Sequence, residues 1–380
     1  MSAPEVTEVT HPDGSTITCS TDGATTTTTV VHADGTTMTV ATTGDPAGGK
    51  PRQRMLLPTT VTPSHYDVHL TPDFEKFTFA GVETVSMVVN GPDVYDIVLH
   101  VLDITISEAK FVGADGSELC ATNISYQTDK RQTATLAFGS ALQVGSGRVT
   151  LTFAGELNDK MCGFYRSAYT GPDGQTKLMA TTQFEATDAR RAFPCWDEPA
   201  LKATFAFTLT VPNHMTAVSN MPIRSSVAGE DGSKTVAFDT TCVMSTYLGA
   251  FVIGEMDSIE AVSSDGIPCR VYATAGKESQ GAFALDVCTK VLSFFSEYFG
   301  IPYPLPKMDM LAIPDFAAGA MENYGCVTYR ETAILWDPDK SAVSAKQRVA
   351  YVVAHELAHQ WFGNLTTMQW WDNLVSKCFL

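Results

Sequence analysis

The chain has 380 residues, of which 44% are hydrophobic and 18% are charged. This length exceeds what one hydrophobic core usually organises, so two or three domains are expected. The 25 Lys and Arg residues against 42 Asp and Glu residues give a net charge of −17, and such a field repels phosphate backbones and anionic lipids. We therefore expect no nucleic-acid partner.

The sequence shows no targeting or membrane-spanning pattern. No stretch of about 18 apolar residues is present, and Met1–Thr10 has neither a basic start nor an apolar run. Nine cysteines form an odd set without a Cys-x-x-Cys pair, which is typical of reduced cytosolic thiols rather than of a disulfide framework. These features predict no membrane segment and a cytoplasmic location. They leave the oligomeric state open.

Residues 1–53 differ in composition from the rest of the chain. The first 50 positions contain 15 Thr residues and no aromatic side chain. A weak repeat, His-x-Asp-Gly followed by alternating Thr and apolar residues, begins at His11 and again at His32. Asp-Gly followed by β-branched residues is typical of β-hairpins. The alternatives are a small β-repeat and a disordered extension, because almost nothing large is available to bury.

Residues 54–263 show the pattern of a β domain. Short runs such as Tyr66–Leu70, Arg148–Phe153 and Thr204–Leu209 alternate apolar with polar residues. Gly, Pro, Asp and Asn separate these runs at short intervals. This pattern predicts an antiparallel β domain with one face in water.

Residues 264–380 show helical periodicity instead. Apolar residues three and four apart predict a helix over Ala282–Phe299, ended by Gly300. A second helix is expected to begin near Ser341 or Ser344, to run through Phe362 and to end at Gly363.

The second predicted helix contains the sequence His-Glu-Leu-Ala-His. His355 and His359 are four residues apart and project from one helix face, so their imidazoles can converge on one Zn²⁺. Glu356 beside them can reach a water bound to such a metal. The alternative is that both histidines are ordinary residues of an amphipathic helix.

Two upstream segments are rich in functional side chains. Gly319–Asn323 has the sequence Gly-Ala-Met-Glu-Asn, and Gln183–Pro199 combines carboxylates, arginines and aromatic residues. Taken alone, they indicate that carboxylates outside the helix can join the site. For the charged residues late in the second segment we expect an ion-paired structural turn. These residues are Arg190, Arg191, Asp197 and Glu198.

Together with His355–Leu365, these segments make the chain resemble the zinc aminopeptidases of the gluzincin group that include aminopeptidase N and puromycin-sensitive aminopeptidase. The similarity spans residues 54–374. The resemblance implies a multi-domain fold, with a saddle-like antiparallel β domain over 54–263. The beginning of an α+β thermolysin-like zinc peptidase domain would follow over 264–380.

The resemblance also implies roles for individual residues. His355 and His359 would ligate one Zn²⁺, and Glu356 would act as general base on the zinc-bound water. Glu322 and Glu185 would bind the free α-amino group of a peptide substrate, because two carboxylates at a fixed distance from the metal select a chain terminus. The remaining substrate-binding positions would be Gln183, Gly319, Ala320, Met321 and Asn323, with the backbone of the two small residues lining the peptide as an added strand.

The chain departs from the family pattern after Leu374. The family's third zinc ligand is a Glu nineteen residues after His359, where this chain has Cys378. A thiolate can ligate zinc, so a His₂Cys site is one alternative. The other is that Val375–Leu380 is unrelated sequence in a C-terminally truncated chain. A downstream Tyr that stabilises the oxyanion and the closing helices of the family are also not found. On this interpretation the full-length parent is an active aminopeptidase, whereas the 380-residue chain is nearly inactive.

Two further functions remain open at this point. The chain can be a non-catalytic fragment or decoy that binds peptide N-termini through Glu185 and Glu322 without cutting them. Alternatively, the Thr-rich segment can be an interaction tail that docks the enzyme. In either case the expected partners are peptides with a free N-terminus.

Overall fold

The structure is a computed structural model that describes residues 54–371 in full and four strands nearer the N-terminus. The chain divides into two units, Met1–Met55 and Leu56–Leu380. The smaller unit contains a four-stranded antiparallel meander in which each strand pairs with the next along the chain. Its strands are β1 (Glu5–Thr10), β2 (Thr16–Asp22), β3 (Thr25–Val31) and β4 (Thr37–Thr43). The backbone of this segment thus follows the β-repeat alternative.

The larger unit begins with fourteen strands. The first seven are β5 (Val61–Asp73), β6 (Thr78–Val89), β7 (Asp96–His100), β8 (Ile104–Gly113), β9 (Glu118–Gln127), β10 (Thr133–Phe138) and β11 (Gly145–Glu156). The next seven are β12 (Gly163–Thr170), β13 (Thr176–Gln183), β14 (Thr204–Pro212), β15 (Thr216–Ser219), β16 (Ile223–Ala228), β17 (Ser233–Phe238) and β18 (Phe251–Gly254).

These strands form two sheets. The larger has ten strands in the order β16-β17-β14-β5-β6-β11-β8-β9-β10-β7, and the smaller has four in the order β12-β13-β18-β15. All neighbours are antiparallel except β14, which runs parallel to β5. The predicted antiparallel β domain is therefore confirmed, with one parallel pairing that the alternating pattern did not reveal.

Aromatic side chains fill the space between the two sheets. Phe79 of β6 packs against Phe164 of β12 with ring centroids 5.3 Å apart, and Phe164 contacts Phe251 of β18 at 5.0 Å. Phe207, on β14 of the larger sheet, also contacts Phe251, with ring centroids 5.4 Å apart. Each buried aromatic ring removes a large apolar area from water, so this cluster holds the two sheets face to face.

The third sheet starts the second half of the unit. Its strands are β19 (Met256–Val262), β20 (Pro268–Thr274), β21 (Met308–Ile313), β22 (Ala320–Met321) and β23 (Cys326–Arg330), in the order β19-β20-β21-β23-β22. The hairpin of β19 and β20 spans the predicted domain boundary at residue 264. β22 is the edge strand of this sheet, which leaves one side of its backbone without a neighbouring strand among the described residues.

Three helices complete the described part of the chain: α1 (Ala282–Tyr298), α2 (Glu331–Ile334) and α3 (Val343–His359). α1 matches its prediction to within one residue. α3 ends three residues before the predicted Phe362, and Gly363 instead takes a positive φ of 134° in the following turn. No helix in residues 54–371 has both the length and the apolar character needed to cross a membrane.

The charged segment after β13 forms a buried ion-paired turn. Arg190 Nε donates to Asp197 Oδ2 at 2.9 Å, and both side chains are at most 6% exposed. Arg191 pairs with Asp188 at 2.7 Å and also with Asp103. Glu198 accepts a hydrogen bond from the backbone of Leu57 at 2.6 Å. The ion pairing expected for this segment is therefore present.

His100 lies against this turn and makes folding sensitive to acid. Its Nδ1 accepts a hydrogen bond from the Asp197 backbone at 3.2 Å, so the buried ring is neutral. Burial, with a smaller contribution from Arg190, lowers the pKa of His100 from 6.5 to about 3. The unfolded chain therefore takes up this proton first, and the stabilisation present above pH 6.5 is lost as the pH falls towards 3.

We expect a loss of about 2 kcal/mol from this residue between pH 7 and pH 5. Urea unfolding at both pH values measures it. A His100→Asn variant, whose Oδ1 can take the place of Nδ1 and accept the same hydrogen bond, should show a loss smaller by that amount. An equal loss in the variant and the natural chain would contradict the assignment.

Candidate active site

The two motif histidines meet at the C-terminal end of α3. His355 Nε2 and His359 Nε2 are 3.1 Å apart, and the ring planes are nearly perpendicular. His359 Nδ1 donates to the carbonyl of Phe362 at 2.8 Å, which assigns the proton to Nδ1 and the lone pair to Nε2. A Cβ at Gly363 would come within 3.2 Å of His359 Nδ1, so glycine at this turn leaves room for the ring.

Two carboxylates join the histidine pair. Oxygen atoms of Glu322 and Glu356 and a ring nitrogen of His359 all lie within 4.8 Å of one another, and all three residues are buried. The nearest ion-pair contact of Glu322 among residues 54–371 is His359 Nδ1, at 3.9 Å. Buried carboxylates this close repel each other unless a positive charge lies between them.

The donor set fits a zinc ion. In a tetrahedral site with Zn–N distances of about 2.0–2.1 Å, two ligand nitrogens lie about 3.3 Å apart. The observed 3.1 Å between the two Nε2 atoms is close to this value. The hydrogen bond from His359 Nδ1 to a backbone carbonyl is the kind of contact that fixes the tautomer of a metal ligand. These residues can therefore hold a divalent metal.

The Gly319–Asn323 segment brings Glu322 to the site. Ala320 and Met321 form β22 and pair with Tyr329 and Thr328 of β23. The Gly319 carbonyl accepts a hydrogen bond from Arg330 at 3.0 Å. A Cβ at Gly319 would meet Arg348 Nη2 at 3.7 Å, an ordinary van der Waals distance, so a small side chain there would not clash.

The segment's other side chains point into the protein. Met321 is buried, and Asn323 donates to Thr328 Oγ1 at 3.0 Å. Their contacts therefore shape the turn that carries Glu322.

Gln183 and Glu185 stand at the end of β13. Gln183 Nε2 donates to the carbonyl of Glu185 at 3.5 Å. Tyr247 lies in a short 3₁₀ turn over Thr246–Leu248, and its hydroxyl donates to the carbonyl of Gly363 at 3.2 Å. Burial raises the pKa of the Tyr247 hydroxyl, and the charges of Glu322 and Glu185 raise it further.

Several positioning residues were missed in the sequence analysis. Asn364 Nδ2 and Gln360 Nε2 donate to the backbone carbonyl of Glu322 at 2.8 and 3.4 Å. Gln360 Oε1 also accepts the backbone N–H of Gly325 at 3.2 Å. Both residues belong to the segment that directly follows His359, and their place in that segment was the signal that could have identified them.

A buried lysine is the second missed feature. Lys307 Nζ lies 2.8 Å from Asp309 Oδ2 and donates to the carbonyls of Ser219 and Gly325, both at 2.7 Å. Ser219 ends β15 of the β domain, whereas Gly325 precedes β23. No local pattern around Lys307 marked it.

The proposed third-ligand position lies outside the described residues. The structure describes the chain only to Trp371, so Cys378 and Val375–Leu380 receive no structural account. Trp371 itself contacts Tyr247 with ring centroids 5.1 Å apart.

Known families match both halves of the larger unit. The family descriptions "Peptidase M1 N-terminal domain" and "Peptidase family M1 domain" match residues 62–248 and 283–377. The first match covers most of the β domain, and the second covers the segment that contains α1, α2 and α3. The chain belongs to peptidase family M1.

Similar proteins carry aminopeptidase names. "Aminopeptidase M1" of Arabidopsis thaliana is 52% identical over 328 residues, which are 86% of this chain and 36% of that protein. "Puromycin-sensitive aminopeptidase" of Caenorhabditis elegans is 45% identical over 88% of this chain and 35% of its own. "Aminopeptidase 2, mitochondrial" of Saccharomyces cerevisiae is 46% identical over 86% of this chain and 34% of that protein. The chain thus spans about a third of the length of these relatives.

Proposed function

We propose that this chain carries the zinc-binding helix, α3, and the groups of a zinc aminopeptidase that bind the substrate's α-amino group. The observation that supports it most is the cluster at the end of α3. There, paired imidazole nitrogens 3.1 Å apart lie beside two buried carboxylates. The names of the relatives point to the same activity.

His355 and His359 would hold Zn²⁺, and the position of the third ligand, occupied by Cys378, lies outside the described residues. When bound, the metal supplies Lewis-acid polarisation of the scissile carbonyl and of the attacking water. Glu356 would take the proton from the attacking water and return it to the departing amine. Burial raises the pKa of the Tyr329 hydroxyl, and the charge of Glu356 raises it further.

Glu322 and Glu185 would bind the substrate's α-ammonium group, with Gln183 beside them. An ammonium between two carboxylates forms charge-assisted hydrogen bonds that a neutral internal amide cannot make. Because these carboxylates come from different halves of the unit, they define a fixed place for a chain terminus. This arrangement favours removal of N-terminal residues over internal cleavage.

The peptide backbone would lie along β22. An edge strand presents backbone N–H and C=O groups to an extended chain, as in recognition by strand addition. Gly319 and Ala320 carry little or no side chain at this edge, so a substrate backbone would approach closely there. Met321 and Asn323 would contribute through their backbone and through the shape of the turn.

The amine-binding role can be tested with Zn²⁺-loaded chain carrying Glu356→Gln, which blocks cleavage. Fluorescence anisotropy with a C-terminally labelled peptide measures binding. Adding Glu322→Gln should weaken binding of the free-amine peptide by about 10- to 100-fold, because one hydrogen bond to a charged group is lost. The N-acetylated peptide serves as the control and should bind equally weakly to both proteins. Equal loss for both peptides would contradict the role of Glu322.

Activity and binding separate the enzyme from the decoy. The expectation that the 380-residue chain is nearly inactive stays a prediction, and turnover of an aminoacyl fluorogenic substrate tests it. Where turnover occurs, Glu356→Gln should lower it by about 10²- to 10⁴-fold. A decoy would bind peptide N-termini without turnover and without tight zinc. The domain limits 1–53, 54–263 and 264–380 and the cytoplasmic location also stay predictions.

A further inference from the structure

The turn between β22 and β23, which carries Glu322, has an anchor in the β domain. Asn220 Nδ2 donates to the carbonyl of Tyr324, two residues after Glu322, at 2.9 Å. Asn220 directly follows β15, so the bond joins residues that are 104 positions apart in the chain. Both partners are buried, so water does not compete for this contact.

The amide group of Asn220 is fixed in one orientation by its partners. Nδ2 also donates to the carbonyl of Leu248 at 2.8 Å, and Oδ1 accepts the backbone N–H of Ala250 at 2.8 Å. Two carbonyls on one side require the NH₂ group, and an N–H on the other side requires the oxygen. The Leu248 carbonyl also accepts the backbone N–H of Tyr324 at 3.3 Å. Asn220 therefore binds the segment before β18 and the turn after β22 to one rigid group.

Other backbone carbonyls of this turn have buried partners from the second half of the unit. The Glu322 carbonyl accepts a hydrogen bond from Asn364 at 2.8 Å, and the Gly325 carbonyl accepts one from Lys307 at 2.7 Å. Lys307 precedes β21 and Asn364 follows α3. Asn220 adds a partner from the β domain, so residues 322–325 are held from both halves of the larger unit.

The backbone of this turn sets where the Glu322 carboxylate lies. Glu322 is buried with Glu356 and His359, and one ligand atom of each lies within 4.8 Å of the others. A hydrogen bond from an ammonium group to a carboxylate needs a distance of about 2.7–3.2 Å between nitrogen and oxygen. A shift of roughly 1 Å in the turn is therefore enough to lose it. Exact placement of the carboxylate depends on the contacts that hold residues 322–325.

We propose that Asn220 is a positioning residue for Glu322 and, through it, for recognition of the substrate's α-amino group. Asn220 acts through the backbone of Tyr324 and is not itself a substrate ligand. This inference rests on the proposed role of Glu322 in binding that amino group. Loss of the Asn220 amide would loosen residues 322–325 on the side of the β domain and blur the preference for a free N-terminus.

Peptide binding by the full 380-residue chain tests this role. The Zn²⁺-loaded chain carries Glu356→Gln, and fluorescence anisotropy compares a C-terminally labelled peptide that has a free N-terminus with its N-acetylated form. Adding Asn220→Ala should weaken binding of the free-amine peptide about 10-fold, because the hydrogen bond to the charged Glu322 is misplaced, and should change binding of the acetylated peptide by less than about two-fold. The preference for the free amine then falls by nearly the same factor.

Asn158→Ala is the matched control. Asn158 is a buried residue of the same domain whose Nδ2 donates to the carbonyls of Cys162 and Phe164, at 3.0 and 3.2 Å, and whose Oδ1 accepts the N–H of Lys160 at 2.8 Å. Its replacement removes the same kinds of hydrogen bond as Asn220→Ala but leaves the Glu322 turn alone. It should lower the free energy of unfolding by a similar amount and keep the preference for the free amine. An equal loss of that preference in both variants would overturn the proposal.

Hydrogen exchange measured by mass spectrometry tests the turn without any peptide. The backbone N–H groups of Tyr324 and Gly325 are both hydrogen-bonded, so they should exchange slowly in the natural chain. Asn220→Ala should speed their exchange at least 10-fold relative to Asn158→Ala. Asn220→Ser, which keeps a hydroxyl donor, should show a smaller change in the same direction and replaces the Ala variant if circular dichroism shows that the latter does not fold.

The two measurements separate failure of this inference from failure of the proposed function. Equal exchange rates at Tyr324 and Gly325 in the Asn220 and Asn158 variants would overturn the positioning role. Failure of the proposed function would appear in the chain with Asn220 intact, as equal binding of the free-amine and acetylated peptides.

Discussion

Replacing His355 and His359 by Asn should reduce tight Zn²⁺ binding by at least 100-fold. The two Nε2 atoms are 3.1 Å apart, so one ion is expected to bind both imidazoles. Without them, the buried carboxylates of Glu322 and Glu356 offer only oxygen ligands, which suit zinc less well than nitrogen. Competition with a chromophoric chelator measures the affinity.

Two comparisons sharpen this result. His214→Asn removes an exposed histidine and should leave zinc binding as it was. Glu356→Gln should retain the metal to within a few-fold, since its proposed role is in proton transfer. Metal content after dialysis, near one zinc per chain or near zero, shows whether the site is complete in this chain. Unchanged affinity after loss of both histidines would rule out α3 as the metal site.

Asp197→Asn should destabilise the β domain by about 3–5 kcal/mol. The substitution keeps the shape of the side chain but leaves the Arg190 guanidinium buried without its carboxylate. Burial raises the pKa of Asp197 to about 6, and Arg190 opposes that rise. At pH 7.5 the carboxylate is therefore ionised. Trp196 is fully buried beside it and is one of five tryptophans in the chain, so urea unfolding is followed by fluorescence and circular dichroism together.

The exposed pair of Asp129 and Arg131 provides the control for this measurement. Both side chains are more than half exposed, so Asp129→Asn should change stability by less than about 1 kcal/mol. Replacing both buried partners, as Arg190→Met with Asp197→Leu, should cost less than Asp197→Asn alone because no charge is then left unpaired. If the free energy of unfolding of the Asp197→Asn variant is within 1 kcal/mol of that of the natural chain, the ion pair does not stabilise the turn.

The helices and the metal motif could be predicted from local sequence. The spacing of apolar residues defined α1, and Gly300 with a positive φ of 64° ends it as expected. The same rule placed the end of α3 too late. Gly363 lies in a turn that follows the helix and is not the residue at which the helix ends. Two histidines on one helix face needed no tertiary information.

The rest of the site depends on contacts between distant residues. The parallel pairing of β14 with β5 joins Thr204 to His65, and nothing in either strand's alternation distinguishes parallel from antiparallel partners. Gln360 and Asn364 gain their importance only when the chain folds Glu322 beneath them. A shared role for Glu185 and Glu322 was implied by resemblance alone and had no local signal.

Lys307 links segments near Glu185 and Glu322. Its ammonium group binds the carbonyls of Ser219 and Gly325 at the same distance, 2.7 Å. Ser219 lies in β15 of the four-stranded sheet, in which β13 ends two residues before Glu185, and Gly325 lies three residues after Glu322. The buried ammonium thus ties this sheet to the turn that carries Glu322. On the proposed role of the two carboxylates in binding a peptide N-terminus, we expect the protein to change little on binding.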